Sequence, residues 1–282
     1  MNTITKKYQD FYEQYPKENT NVSMYAFFRK AAEKHGQKIA MEYGSTTFTY
    51  TQLLELIDTT ADAFLTAGIE KGDVISVCIP DIPAFTISIY ATSKIGAKAS
   101  IINCDEGSLS INSLLRNTHS KMLIIDSLRQ ADTKQILNDT EVNALVYARR
   151  LDYLSLTGRL KLFTYTDINL LNRYFLSKEL ISNRIPVFLW ETLLGRMTSK
   201  YITRVECESC SSDGESCAIY YHSGGAAGVP KTIMVSSKAI NEIAQRSASV
   251  LSAIESDDRA LAYVDNAYPS GFCASKHTHL CY

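Results

Sequence analysis

Between residues 74 and 125, largely apolar runs of strand length alternate with segments that have the pattern of helices. The runs cover residues 74–79, 99–102 and 122–125, and apolar residues fill them almost without alternation, which is typical of strands buried on both faces. A helix is predicted between the first two runs and another over 108–118. Because strands that alternate with helices pair in parallel, the pattern predicts an α/β protein whose parallel or mixed sheets are covered by helices.

Cap and turn residues predict the limits of several other elements. Residues 23–38 carry apolar side chains at helical spacing, and Gly44 marks the turn of a hairpin between two short strands. Thr49, followed three residues later by Gln52, is a capping box. A helix is therefore predicted from this point to Gly68.

Two more helices are predicted from similar signals. Asp81 is expected to cap a helix that has Pro83 in its first turn and Gly96 beyond its end. A final amphipathic helix is predicted from about Ser237. The residues expected on its buried face are Ile240, Ile243, Ala244, Val250, Leu251 and Ile254.

Residues 128–205 mix basic and aromatic side chains. Such a mixture can bind single-stranded nucleic acid by stacking and charge. Acidic residues lie among them, however, and a solvated, partly helical connector is the preferred interpretation. Trp190 is assigned to the core. The net charge of −1 gives no electrostatic argument for binding nucleic acid or a lipid surface.

The stretch from Tyr220 to Thr232 places three glycines, a serine and a Pro-Lys pair between two strand-like runs. Glycines allow backbone amides to converge on an anion, and a lysine adds positive charge where phosphate oxygens would lie. The common phosphate loop is different, because here two residues separate Gly228 from Lys231 and a strand follows instead of a helix. A hairpin loop that binds nucleotide phosphates is predicted, with an ordinary surface turn as the alternative.

This loop resembles the signature of the AMP-forming adenylating superfamily: acyl-CoA synthetases, peptide-synthetase adenylation domains and luciferases. The residues that match the family pattern in register are Ser223, Gly224, Gly225, Gly228, Pro230 and Lys231. Ala226 and Ala227 stand where the family carries Ser or Thr. Without those hydroxyls, hydrogen bonds of about 1.5–3 kcal/mol each to the β- and γ-phosphates would be lost.

Two upstream blocks also resemble the superfamily, and together with the loop they cover most of residues 20–126 and 215–282. The matching residues are Thr49, Tyr50, Leu53, Lys71, Gly72, Asp73 and Val74 in one block and Pro80, Pro83, Ala91, Lys94, Gly96 and Ala97 in the other. Three blocks in the family order are more specific than any one of them.

The resemblance implies an AMP-forming carboxylate–CoA ligase, which activates a carboxylic acid through an acyl adenylate with ATP, Mg²⁺ and CoA. The residues implied in phosphate binding are Ser223, Gly224, Gly225, Ala226, Ala227, Gly228 and Lys231. Residues 265–271 correspond to the family segment Pro-x-Phe-His-x-x-Gly, which lines the acyl pocket. Tyr268 replaces the histidine of that segment, and Gly271 matches its glycine.

Family members are considerably longer, so we expect an incomplete large N-terminal domain without the small C-terminal domain. Its predicted parts are a first α/β part (20–126), a variable connector (127–205) and a phosphate-loop part (206–282). The family's catalytic lysine and Mg²⁺-linked glutamate are expected to be absent, which leaves the catalytic residues unknown. A catalytically inactive remnant, or a partner-binding fragment that associates through an exposed sheet edge, is the alternative function.

No metal site is predicted, although two groups of potential ligands are present. These are Cys207, Cys210 and Cys217 in one group and Cys273, His277, His279 and Cys281 in the other. A structural zinc site needs a fourth ligand that the first group lacks, and the second is interpreted as accidental. The seven cysteines have no regular framework, and no run has the length of a membrane span or signal sequence, so a cytoplasmic location is predicted.

Overall fold

The computed structural model describes residues 17–153, 185–197, 214–223, 231–250 and 259–282. Within these ranges a seven-stranded sheet forms the centre, and two further strands form a separate hairpin. The hairpin consists of β1 (Ile39–Tyr43) and β2 (Thr46–Thr49). The strands of the main sheet are β3 (Val74–Cys78), β4 (Lys98–Ile101), β5 (Met122–Asp126), β6 (Ala144–Ala148), β7 (Val187–Leu189), β8 (Cys217–His222) and β9 (Thr232–Ser236).

Helices lie between most of these strands. The α-helices are α1 (Met24–His35), α2 (Tyr50–Thr66), α3 (Pro83–Lys94), α4 (Ser108–Asn117), α5 (Thr133–Ile136), α6 (Trp190–Met197), α7 (Ser237–Val250) and α8 (Thr278–Cys281). The described residues also form 3₁₀ helices at Ser127–Asp132 and Arg150–Tyr153 and a π-helical segment at Ser270–His277.

The strand order of the main sheet is β7-β6-β5-β3-β4-β8-β9. Neighbouring strands are parallel except β8 and β9, which form an antiparallel hairpin at one edge. The chain passes from β3 to β4 on one side and then crosses to β5 on the other side of β3. The α/β class and the mixed, mainly parallel sheet that the sequence predicts are therefore confirmed.

Helices cover both faces of this sheet, as a buried parallel sheet requires. On one face α1, α2 and α3 bury Phe28, Phe64 and Phe85 against Ile75 and Val77 of β3. The core on the opposite face includes Ile111, Leu114 and Leu115 of α4, Ile136 of α5, and Leu123, Ile125 and Leu145 of the sheet. Each fully buried aliphatic or aromatic side chain stabilises the fold by about 1.5–3 kcal/mol.

The predicted capping box at the start of α2 is confirmed. The amide of Gln52 donates to Thr49 Oγ1 at 3.2 Å, and the amide of Thr49 donates to Gln52 Oε1 at 2.9 Å. The predicted cap at Asp81 is wrong. Ile82 occupies the N-cap position of α3 without a side-chain bond, and the Asp81 carboxylate forms an ion pair with Lys276 instead.

The middle of the chain contains strands that the sequence analysis does not predict. The solvated connector is wrong for residues 144–148, because β6 is buried throughout and pairs with β5 and β7. The five largely apolar residues of β6 were the signal that could have indicated it. Trp190 is 1% exposed, which confirms its assignment to the core.

The final helix begins at Ser237 as predicted, but its buried face is different. Ile240 and Ala244 are fully buried, whereas Ile243 is 36% exposed. Polar residues share the buried face with the apolar ones: Ser237, Asn241, Gln245 and Ser249. Of the apolar residues expected on this face, Leu251 and Ile254 lie outside the described residues.

Candidate functional site

The predicted glycine loop joins two strands of an antiparallel hairpin. Strands β8 and β9 pair up to His222 and Thr232, which lie opposite each other at the end of the hairpin next to the loop. Beyond them Ser223 donates its amide to the carbonyl of Lys231 at 2.9 Å, and the amide of Lys231 donates to Ser223 Oγ at 3.0 Å. The two ends of the loop are therefore held together by a pair of hydrogen bonds.

The interior of the loop, residues 224–230, lies outside the described residues. It contains five of the predicted phosphate-binding residues: Gly224, Gly225, Ala226, Ala227 and Gly228. Ser223 and Lys231, the other two, are described, and the structure brings them together at the mouth of the loop. The role of all seven in phosphate binding stays a prediction.

The loop opens at the carboxyl edge of the parallel strands. Strand β8 runs parallel to β4, with Ala99 opposite Ile219 and Ser100 opposite Tyr220. The residues that follow β3 and β4 therefore lie at the same edge as the loop. In open α/β sheets, ligands bind outside the carboxyl ends of the strands.

The donors at the mouth of the loop suit an anionic ligand. Lys231 is an exposed residue at the mouth of the loop. Ser223 Oγ accepts a hydrogen bond from the amide of Lys231, and that bond does not use the hydroxyl hydrogen of Ser223. A flexible cation and a hydroxyl donor at the ends of a glycine-rich turn fit phosphate oxygens.

His222 is a residue of this site to which the sequence analysis gives no role. It is the last residue of β8, and its ring contacts Ser100 Oγ through Nε2 at 2.9 Å and Thr232 Oγ1 through Nδ1 at 3.2 Å. Burial lowers the pKa of His222 to about 4, and the nearby Glu106 acts weakly in the opposite direction. The imidazole is therefore neutral near pH 7.

Of the predicted acyl-pocket residues, Tyr268 lies two residues before the π-helical segment and Gly271 lies in its first turn. Gly271 is buried, and a Cβ atom at this position would collide with the carbonyl oxygen of Asp265, so only glycine fits. Its amide donates to the carbonyl of Tyr268 at 2.9 Å. The Tyr268 side chain is 60% exposed. Their role in binding an acyl group stays a prediction.

Asp265, which precedes Gly271, is one of the acidic groups that act on the thiol of Cys104. Burial raises the pKa of the Cys104 thiol, which follows β4. Nearby acidic groups act in the same direction, Asp105 first and Asp126 and Asp265 with smaller effects, while Arg150 opposes them.

The second group of potential metal ligands is engaged in other contacts. His277 is fully buried, with Nδ1 at 2.7 Å from the Tyr90 hydroxyl and Nε2 at 2.9 Å from Asn241 Oδ1. His279 Nδ1 lies 2.7 Å from the carbonyl of Ser275. No group of three or more potential metal ligands occurs in the part of the chain that the structure describes. Of the first group, Cys207 and Cys210 lie outside that part.

Two further predictions concern membrane-spanning segments and an exposed edge of the sheet. Within the described residues, no helix combines the length and the apolar character that crossing a membrane requires. In the same residues, β9 lies at the edge of the main sheet and pairs with β8 alone. Ile233 and Met234 of β9 are 50% and 70% exposed.

Comparison with known proteins agrees with this architecture. The probable acyl-activating enzyme 22 of Arabidopsis thaliana is 29% identical over 133 residues, 45% of this chain and 25% of that protein. The peroxisomal benzoate–CoA ligase of the same plant is 28% identical over 120 residues, 43% of this chain and 21% of that protein. The chain thus spans about a quarter or less of the length of these curated relatives.

A solved structure and a family match extend the comparison to most of the chain. The crystal structure of a long-chain-fatty-acid–CoA ligase from Archaeoglobus fulgidus has a TM-score of 0.64 at 17% identity and covers 94% of this chain and 46% of that one. At this identity the likeness concerns the fold alone. The family described as AMP-binding enzyme matches residues 28–275. Because this match covers most of the residues of the chain, the chain belongs to the AMP-binding enzyme family.

Proposed function

We propose that this chain contributes the nucleotide-phosphate-binding part of an ATP-dependent, AMP-forming carboxylate–CoA ligase. The observation that carries the proposal is the glycine loop at the carboxyl edge of the sheet, closed by two hydrogen bonds between Ser223 and Lys231. Glycine-rich turns of this kind are known to converge backbone amides on anions. Family membership and relatives named as CoA ligases support the same activity.

In this proposal the chain's own residues bind and orient the phosphates of ATP. Amides of the loop and the hydroxyl of Ser223 donate to the β- and γ-phosphate oxygens, and Lys231 offsets their charge. When bound, ATP would supply the adenylyl group that a carboxylate accepts. Positioning and charge neutralisation are the main contributions that such a site makes to phosphate chemistry.

The acyl group is proposed to bind beside Tyr268 and Gly271. In this proposal the exposed phenol of Tyr268 forms one wall of a pocket for a small carboxylic acid, and Gly271 fixes the backbone there because it allows close packing against the carbonyl of Asp265. Among the relatives, one is named as a benzoate–CoA ligase and another as a butyrate–CoA ligase. We assign no residue of this chain to CoA or Mg²⁺. We also propose a cytoplasmic location for this chain. The two ligases just mentioned are named as peroxisomal, so their names do not support this location.

Thermal unfolding of the whole chain with and without millimolar Mg-ATP tests the proposal. A ligand that binds only the folded state raises the free energy of unfolding by RT ln(1 + [L]/Kd), so weak binding is measurable. Replacing Lys231 by Ala should weaken binding about tenfold or more, because a charge-assisted bond contributes about 1.5–3 kcal/mol. The matched control is Lys98→Ala, since Lys98 begins β4 at the opposite edge of the sheet.

The three possible outcomes of this experiment are distinct. An upward shift of the melting temperature that Lys231→Ala reduces and Lys98→Ala leaves unchanged would support the proposal. A sharp melting transition without any shift in the unmodified chain would contradict it. An equal reduction of the melting-temperature shift in both variants would mean that Lys231 acts through the overall charge of the protein rather than at the loop.

A second candidate function is a non-catalytic member of the family. The observation that favours it is the pair Ala226 and Ala227, which stand in place of two hydroxyl residues. If these alanines have weakened a nucleotide site, Ala226→Thr with Ala227→Thr should strengthen Mg-ATP binding, and titration calorimetry would measure the gain. Unchanged binding would show that the two positions do not limit the affinity.

A further inference from the structure

We propose that His222 is a positioning residue, which fixes the base of the glycine loop to the parallel sheet. The geometry at the end of β8 points to this role, since one imidazole ring contacts side chains from both neighbouring strands. The consequence for nucleotide binding rests on the proposed function, whereas the mechanical role does not.

The backbone pairing between β4 and β8 ends before the loop begins. The last paired residues are Ser100 and Tyr220, so His222 lies two residues beyond the ladder. There the connection between the two strands continues through side chains, because His222 Nε2 lies 2.9 Å from Ser100 Oγ. Ser100 is fully buried in the sheet and therefore offers a rigid attachment point.

The other ring nitrogen contacts the opposite side of the hairpin. His222 Nδ1 lies 3.2 Å from Oγ1 of Thr232, the first residue of β9. The ring thus connects three strands, β4, β8 and β9, at the level where the loop starts. Thr232 directly follows Lys231, and His222 directly precedes Ser223, so the ring adjoins both residues that close the loop.

The chemistry of the contacts suits a fixed, neutral imidazole. A neutral ring donates from one nitrogen and accepts at the other, and a hydroxyl can serve either as donor or as acceptor. Ser100 and Thr232 can therefore satisfy both nitrogens in either tautomer. Removing the ring would leave Ser100 Oγ buried without the partner it has here.

The first test does not involve nucleotide. In the full chain, His222→Phe should increase hydrogen exchange at the amides of Ser223 and Lys231 about tenfold, because their mutual bonds lose support. Exchange at Ile219, in the middle of β8, should stay unchanged. The matched control is Tyr220→Phe, which alters a half-buried ring of the same strand that has no assigned role.

Conservative replacements separate the two contacts of the ring. Glutamine extends to the position of Nε2 and can keep the bond to Ser100, while asparagine reaches the position of Nδ1 and can keep the bond to Thr232. If attachment to the sheet is the essential contact, His222→Gln should restore protection of the two loop amides and His222→Asn should not. Unchanged exchange in His222→Phe at the two loop amides would overturn the proposal.

The second test measures Mg-ATP binding by titration calorimetry. We expect His222→Phe to weaken binding about tenfold and Tyr220→Phe to change it less than about twofold, in line with the loss of one or two hydrogen bonds that hold the site. Loss of binding without a change in loop exchange would mean that His222 contacts the nucleotide directly, which contradicts a positioning role. If the unmodified chain does not bind Mg-ATP, the proposed function fails, and the exchange experiment still decides the role of His222.

Discussion

Acidification should destabilise this protein through the buried imidazole of His277. The amide nitrogen of Asn241 donates to the carbonyls of Thr20 and Val22, both at 3.0 Å, so its oxygen must face His277. The Nε2 atom of His277 lies 2.9 Å from that oxygen and therefore carries the hydrogen. The other nitrogen then accepts from the Tyr90 hydroxyl at 2.7 Å, and the ring is neutral.

The magnitude follows from the difference in pKa between the two states. Burial lowers the pKa of His277 to about 3, whereas the unfolded chain has the ordinary value of 6.5. Below pH 6.5 the unfolded state binds a proton that the folded state excludes, so stability falls as the pH falls and levels off near pH 3. The slope is about 1.4 kcal/mol per pH unit, which amounts to about 2.5 kcal/mol between pH 7 and pH 4.5.

Other groups also titrate over this range, so the assay compares variants. The free energy of unfolding is measured by urea denaturation at several pH values for the unmodified chain and for His277→Gln. The variant should be less stable near neutral pH, because its side chain fits the site poorly. It should also lose about 2.5 kcal/mol less than the unmodified chain on acidification from about pH 7 to about pH 4.5.

Tyr90→Phe is the matched control. It removes a hydrogen bond of the same network, with an expected loss of about 1–3 kcal/mol, but it keeps the imidazole and hence the pH dependence. Parallel stability curves for the unmodified chain and His277→Gln would refute the reasoning. They would mean that the imidazole is open to solvent or already charged in the folded protein.

Three further predictions concern stability near neutral pH, measured by thermal or urea unfolding. Gly271→Ala should destabilise the fold by about 1–3 kcal/mol, because the new methyl group would collide with the carbonyl of Asp265; an unchanged melting temperature would disprove this tight packing. Asp81→Ala should lower the free energy of unfolding more than Lys276→Met does. The first change leaves the buried ammonium of Lys276 without its partner, whereas methionine fills the same space without a charge. Equal losses of stability in the two variants would contradict this reasoning. Thr49→Ala should cost about 1 kcal/mol through loss of the cap of α2, and a change below about 0.3 kcal/mol would argue against it.

Elements defined by local patterns were predictable from the sequence. The apolar runs of β3, β4 and β5, the capping box at Thr49 and the glycine loop between two strands each depend on residues close together in the chain. Local propensity and periodicity report such features because the interactions involved span only a few residues. The buried strand β6 was missed because the surrounding charged and aromatic residues outweighed its short apolar run.

The partners of polar side chains were not predictable in the same way. Asp81 has the position of a helix cap, yet it pairs with Lys276, which lies 195 residues away. His222 is adjacent to the loop in sequence, but its contact with Ser100 requires β8 to lie beside β4. Nothing in the neighbouring sequence of either residue indicates these contacts.

The sequence by itself determined the fold class, the order of most elements and the position of the glycine loop. The tertiary structure decided which residues surround that loop and which buried groups stay neutral. The physical reason is that hydrogen bonds and pKa values depend on desolvation and on partners brought together by the strand order. For His277, both of these partners come from residues more than 30 positions away in the chain, as does Ser100, the partner that attaches His222 to the parallel sheet.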